Sequence, residues 1–206
     1  IISIVELVNN IIKIFPVDIF IQENLPINKD IMESKILNME KEKSGRVKSN
    51  MGGFQSQPID NNDMWEEFNN LMTFITNSFT NICNHYKYKE GIKINISAPW
   101  ININRYKDSN AAHVHGEADW SYVYFVKVPK DSGNLVFLDP RIRRTAKNLK
   151  ENLLENNSEN LSQITHYGLN INDNSLIFFP SYMEHAVHMN KTHNPRITIS
   201  GNTFVG

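Results

Sequence analysis

A single cysteine, Cys83, occurs among the 206 residues. It has no partner for an internal disulfide, so nothing in the chain asks for an oxidising compartment, and a cytoplasmic setting (a host's cytoplasm for a viral chain) is expected. A surplus of either charge is missing too: 21 Lys and Arg stand against 22 Asp and Glu, a net charge of −1. Neutralising a polynucleotide backbone requires an excess of cations, so nucleic acid is not an expected partner. The chain also lacks a long apolar run. Its most membrane-like stretch, residues 1–15, is broken by Glu6, Asn9, Asn10 and Lys13. That stretch is too short to span a bilayer and lacks the basic start and clean apolar stretch of a secretion signal, so no membrane association is expected. No internal repeat or composition break marks a second domain. What remains, 40% hydrophobic and 21% charged residues, suits one globular domain over residues 1–206.

The pattern divides that domain in two. Residues 1–91 read as a helical and connective lead-in. Asn28, Lys29 and Asp30 supply capping side chains before a helix over residues 31–43. Glycines 45, 52 and 53 with Pro58 break the pattern over residues 44–58 into a loop. Asp60, Asn61, Asn62 and Asp63 then cap a second helix, on which Trp65, Phe68, Met72, Ile75, Phe79 and Ile82 recur every three or four residues as a core-packing stripe. From residue 92 the period shortens. Runs at 92–98, 100–105, 111–115, 119–128, 134–138, 163–167, 175–179, 182–189 and 196–204 are rich in β-branched and aromatic residues and separated by turn formers. Many short strands after a helical lead-in predict a mainly β fold with flanking helices, its core a double-sheet jelly roll. Residues 141–161 are polar and are expected as an excursion outside the sheets.

Chemistry concentrates in these strands. In His113-Val114-His115 the imidazoles are two residues apart, so on an extended chain they leave the same face and form half of a metal site. Another strand must bring a third ligand. His185 and His188 lie three apart on the run 178–188, so at most one of them points at a shared metal. A solvated polar edge would show the same histidine pattern. Arg196 changes the balance. Arg196, Thr198, Ser200 and Asn202 alternate with Ile197, Ile199 and Gly201, and Trp100, Asn102 and Asn104 alternate with Ile101 and Ile103. Two strands thus carry a polar face, and burying such a face demands hydrogen-bonding partners. An anion would supply them, because the planar fork of Arg grips a carboxylate bidentately and Thr198 can donate a second bond. Ser121, Val123 and Phe125 share one face of their strand and are expected inside the barrel as packing or pocket wall, with Tyr122 and Tyr124 outside.

These segments together resemble the Fe(II)/2-oxoglutarate-dependent dioxygenases, whose core is a double-stranded β-helix, and more narrowly the 2OG-Fe(II) oxygenases of marine bacteria and their phages. The segments that carry the resemblance are residues 49–56, 100–104, 112–115, 120–125, 133–141, 179–185 and 196–200. The resemblance implies Fe(II) and 2-oxoglutarate as cofactors and O2 as co-substrate, with a substrate C–H bond hydroxylated and succinate and CO2 released. It implies that His113 and His185 are iron ligands and that Arg196, assisted by Thr198, binds the far carboxylate of 2-oxoglutarate. Asn102, Asn104, Asn202, Ser121 and Phe125 are further candidates for contact with co-substrate or substrate.

One position departs from the family pattern. Where the superfamily places Asp or Glu two residues after the first histidine, this chain has His115. The third ligand is then His115, or a carboxylate swung in from Glu117 or Asp119, or absent. His115 is preferred because its spacing already puts it on the correct face. Two rival functions follow from the same residues: a cupin-like three-histidine metalloenzyme that does not use 2-oxoglutarate, and a non-catalytic jelly-roll binding or structural protein. The substrate, a small molecule or a peptidyl side chain, is not specified by the sequence. Neither is the oligomeric state, with a homodimer among the options. Residues 44–57 and 141–160 are expected to gate substrate.

Overall fold

The computed structural model describes residues 16–139 and 166–206. The expectations for residues 1–15 and for the polar excursion at 141–161 fall outside the described residues.

Helix α1 spans Lys29–Glu42, and Asn28 caps it by accepting a hydrogen bond from the Ile31 N–H at 3.2 Å. It buries Met32, Ile36 and Met39, one stripe at helical spacing. Helix α2 spans Glu66–His85 and buries Phe68, Ile75, Phe79 and Ile82 as the stripe predicts, together with Leu71 and Cys83. Its start corrects the sequence reading. The polar run expected to cap it forms instead a short 3-10 turn, Asn61–Asp63, and the helix begins after Trp65, whose side chain makes no capping bond. Glu66 and Glu67 in the first turn favour its free N–H groups electrostatically, and Trp65 packs edge-on against Phe68 with ring centroids 5.0 Å apart.

Among the described residues twelve strands, numbered in chain order, form two antiparallel sheets. The larger runs in the order β1 (Phe20–Gln22), β10 (Ser175–Pro180), β7 (Trp120–Lys127), β12 (Arg196–Val205), β5 (Trp100–Asn104) and β3 (Phe54–Gln55), and β4 (Ile94–Ile96) pairs with the far end of β12. The smaller runs β2 (Asn50–Met51), β6 (Ser109–His113), β11 (His185–Val187), β8 (Leu135–Leu138) and β9 (His166–Leu169). The two face each other as the jelly-roll core of a mainly β fold.

Several segments differ from expectation: β1 is a strand within the lead-in read as helical and connective, and β9 runs on to Leu169. The run 182–189 contributes only β11, because residues 181–184 turn sharply, with the Met183 N–H on the Pro180 carbonyl at 3.0 Å. The strand expected at 111–115 is shifted to Ser109–His113. Residues 44–58 are more than a loop: β2 and β3 form a reversal through Gly52 and Gly53, whose φ values of 77° and 65° suit glycine. This reversal grips both sheets, β2 pairing with β6 and β3 with β5.

Strand alternation assigns each face. On β7, Tyr122, Tyr124 and Val126 point towards the helices and join Phe68, Phe79, Ile197 and Ile199 in one core, whereas Val123 and Phe125 join Leu135, Phe137 and Phe179 between the sheets. The same parity sends Gly201 of β12 towards the helices, where a side chain at that position would strike the buried ring of Tyr122. Gly201→Ala should therefore destabilise the fold by about 1–3 kcal/mol, the usual cost of overpacking. Chemical denaturation checks this. An unchanged midpoint would mean that the Tyr122 ring moves aside freely. Among the described residues, no helix is long and apolar enough to cross a membrane.

Candidate active site

The inner face of the larger sheet is where β12 and β5 lie side by side with their polar residues in register: Arg196 opposite Asn104, Thr198 opposite Asn102 and Ser200 opposite Trp100. The intervening Ile197, Ile199, Ile101 and Ile103 are fully buried on the helix side. Apolar packing on one face thus fixes the direction of the polar set on the other.

Across the gap, β6 and β11 pair so that His113 stands directly opposite His185. His115 lies two residues beyond the end of β6, held by its N–H on the Ser181 carbonyl at 3.0 Å. One ring nitrogen from each of the three histidines lies within 4.8 Å of the others. Their ring centroids are 4.3 Å apart for His113 and His185 and 5.1 Å apart for each of the other two pairs. The tautomers follow from the neighbours. Nδ1 of His113 contacts the Ala111 carbonyl at 2.8 Å and Nδ1 of His185 the Met183 carbonyl at 2.9 Å. A carbonyl only accepts, so both Nδ1 atoms carry a proton and Nε2 is the ring nitrogen left to take a metal. Nδ1 of His115 meets Oδ1 of Asn202 at 2.6 Å, and the same oxygen accepts from the Ser121 hydroxyl at 2.9 Å. Burial holds His185 down to about 3, with the charge of His113 acting the same way, and burial also lowers His115. His115 and His185 are therefore neutral at pH 7, the form that binds a metal.

Arg196 is 2% exposed. Its guanidinium lies over the Phe125 ring, 5.4 Å from the centroid. Its Nε has no hydrogen-bond partner, and no carboxylate among the described residues forms an ion pair with it. Desolvation pushes its pKa down to about 10. An unpaired buried cation costs several kcal/mol unless a ligand offsets the loss of water. Arg196, Thr198, Ser200 and Asn102 line one cavity with all three histidines, and that cavity encloses about 460 Å³ including its open mouth. An anion with a planar carboxylate for Arg196 and oxygen donors for a metal at the histidines matches this donor set.

The other expected residues divide between the cavity wall and its supports. Ser121 lines the cavity and donates to Asn202 Oδ1, which holds Nδ1 of His115. Asn104, 2% exposed, does not line the cavity; its Nδ2 ties β5 to β6 by donating to Asn110 Oδ1 at 3.1 Å. Phe125 forms the surface under the guanidinium. Neither Glu117 nor Asp119 joins the histidine cluster: both are exposed, and Asp119 Oδ2 accepts from the Val205 N–H at 2.8 Å. His188 stays outside the cluster, as its spacing requires. Sequence reasoning missed Ser49 and Asn110, which line the cavity and bond to each other at 3.3 Å. No local signal marks them, since the β2–β3 reversal brings them together.

Comparisons with known proteins agree with this geometry. Residues 98–202 match the family described as "Putative 2OG-Fe(II) oxygenase". A search of curated protein sequences found no match. Among solved structures, a prolyl-4-hydroxylase from Pseudomonas putida is similar at 13% identity with a TM-score of 0.62, covering 91% of this chain and 92% of that one. The viral collagen prolyl hydroxylase of Paramecium Bursaria Chlorella virus-1, solved as its 2OG complex, is similar at 13% identity and 0.57, over 90% and 94% of the two chains. The non-heme alpha ketoglutarate dependent epimerase SnoN, from nogalamycin biosynthesis, is similar at 12% identity and 0.56, over 91% and 78%.

Proposed function

The chain belongs to the 2OG-Fe(II) oxygenase family, and on that premise we propose that it hydroxylates a C–H bond of a small-molecule or peptidyl substrate at the three-histidine cluster. The observation that carries this reading is the buried, unpaired guanidinium of Arg196 in the same cavity as three convergent imidazoles. Fe(II) with 2-oxoglutarate and O2 would supply the oxidising power there, one oxygen atom of O2 going to the substrate as a hydroxyl group and the other to succinate as CO2 is released. His113, His115 and His185 would hold the metal through Nε2, each oriented by the acceptor on its Nδ1. Arg196 would bind the far carboxylate of 2-oxoglutarate, with the Thr198 and Ser200 hydroxyls and the Asn102 amide beside it. Val123, Leu135, Phe179 and Val187 complete the wall and keep water out. Imidazole ligands, unlike a carboxylate, bring no negative charge to the dication, which strengthens its hold on a dianionic co-substrate.

Succinate release tests the proposal. It should require both Fe(II) and 2-oxoglutarate, and label from 18O2 should enter the product. Three histidines alone also suit a metalloenzyme that does not use 2-oxoglutarate. The result that would favour that rival is metal-dependent oxygen uptake with no response to 2-oxoglutarate.

Asn202 gives a further prediction. Asn202→Leu removes the acceptor that fixes the tautomer of His115 and should weaken Fe(II) binding about 10–100-fold, measured by anaerobic metal titration. Asn202→Asp keeps an acceptor and should restore most of the loss. Equal affinities in all three proteins would detach Asn202 from the metal site.

A further inference from the structure

Outside the cavity a second, wider depression opens between the segment leading into β2 and the exposed Ala111 and Ala112 of β6, enclosing about 1100 Å³ with the open solvent above it. The two spaces share Ser49, Trp100, His113 and His115, so the outer groove leads directly onto the histidines. Its walls carry two cations, Arg46 and Lys48, and no carboxylate. Arg46 is half-buried, forms no ion pair among the described residues, and leaves its buried Nε without a hydrogen-bond partner. Its guanidinium lies over Trp100, 5.8 Å from the ring centroid, and Trp100 in turn packs against His115 at 5.6 Å. The cation is therefore held an indole's width from the histidine cluster. Its backbone is fixed as well: the Arg46 N–H donates to the Gln55 carbonyl at 2.8 Å, and β3, which contains Gln55, is paired to β5. Lys48 is exposed at the rim.

We infer that this groove selects a substrate bearing a carboxylate or phosphate group, which Arg46 and Lys48 bind while the C–H bond to be oxidised lies inward beside His113 and His115. This inference rests on the oxygenase reading above and adds to it the chemical class of the substrate. A partly desolvated guanidinium with unused donors and no internal counter-charge discriminates strongly between an anion and a neutral group of the same shape. The cation-over-indole contact orients its fork without consuming its donors.

The test uses the protein loaded with Fe(II) and saturating 2-oxoglutarate in the absence of O2. Binding of phenylacetate against phenylacetamide, hexanoate against hexanamide, and phenyl phosphate against phenol is measured by calorimetry, so that carboxylate and phosphate are read separately. At least one acid should bind about tenfold or more tightly than its neutral partner, the worth of a charge-assisted hydrogen bond. Arg46→Met should erase that preference, Arg46→Lys should keep part of it, and circular dichroism confirms that each variant is folded. Equal or undetectable binding within every pair, or a preference that survives Arg46→Met, overturns the inference. The charge-transfer absorption of the wild-type iron–2-oxoglutarate chelate is recorded in the same samples. Failure of that band would strike the oxygenase reading, whereas a normal band with no acid preference strikes only the groove.

Discussion

Replacing Arg196 with methionine is expected to weaken 2-oxoglutarate binding by roughly 10²–10³-fold, while leaving the fold intact or more stable. Both halves follow from the same burial. With ligand bound, the guanidinium would form a desolvated, hydrogen-bonded charge pair, and truncating one partner of such a pair costs about 2–5 kcal/mol. Without ligand, Arg196 is a 2% exposed cation lacking an ion-pair partner among the described residues, and its pKa is depressed to about 10 by desolvation alone. Methionine has a similar length and no charge, so the ligand-free protein loses a penalty and gains apolar contact with Phe125. A thermal melt without ligand should show an unchanged or higher midpoint, and titration with 2-oxoglutarate should show no saturation in the range that saturates the parent. A residue of purely structural importance would move the melt downward instead. Arg196→Met with parental affinity for 2-oxoglutarate would remove this residue from the co-substrate site.

The second large effect concerns the imidazoles. His185→Ala should lower Fe(II) affinity by more than about 100-fold, beyond the range seen when only a supporting group is lost, and should reduce succinate release to background. His113→Ala should do the same. His115→Ala decides the departure from the family pattern. If His115 is the third ligand, the variant should bind Fe(II) at least about tenfold more weakly, whereas Glu117→Gln should match the parent. The structure favours this outcome because Glu117 is exposed and outside the cluster, while His115 is already oriented by Asn202. The reverse pattern, with Glu117→Gln defective and His115→Ala normal, would return the third position to a carboxylate.

Much of this site is readable from residue spacing, for a definite reason. A strand has a side-chain period of two, so Arg196, Thr198 and Ser200 had to share one face, and Ile197 and Ile199 the other. The pairing of β12 with β5 then brings Asn102 opposite Thr198. His113 and His115 were assigned to one side by the same rule. The two rings lie in one cluster although His115 is beyond the strand, where its N–H is held on the Ser181 carbonyl. What the period cannot supply is partnership across the barrel. Asn104 shares the parity of Asn102 yet bonds to Asn110 of the opposing sheet and stays out of the cavity. Asn202 shares the parity of Arg196 and Thr198, and its Oδ1 meets His115 Nδ1. Ser49, Asn110 and Arg46 depend on the β2–β3 reversal, whose strands are two residues each and too short to show any period. The start of α2 was misread for a related reason. Asp60 to Asp63 are good capping residues, but the packing of Trp65 on Phe68 favours the later start.

The oxygenase account depends on the imidazoles at 113, 115 and 185 and the guanidinium at 196 jointly holding one iron–2-oxoglutarate chelate. Anaerobic titration of the apoprotein with Fe(II) and then 2-oxoglutarate, followed by visible absorption, reads that chelate directly. The account predicts a weak metal-to-ligand charge-transfer band that saturates at one equivalent of each. It predicts the same band absent from His185→Ala and, at parental 2-oxoglutarate concentrations, from Arg196→Met. No band in the folded wild-type protein, or an undiminished band in both variants, would contradict it.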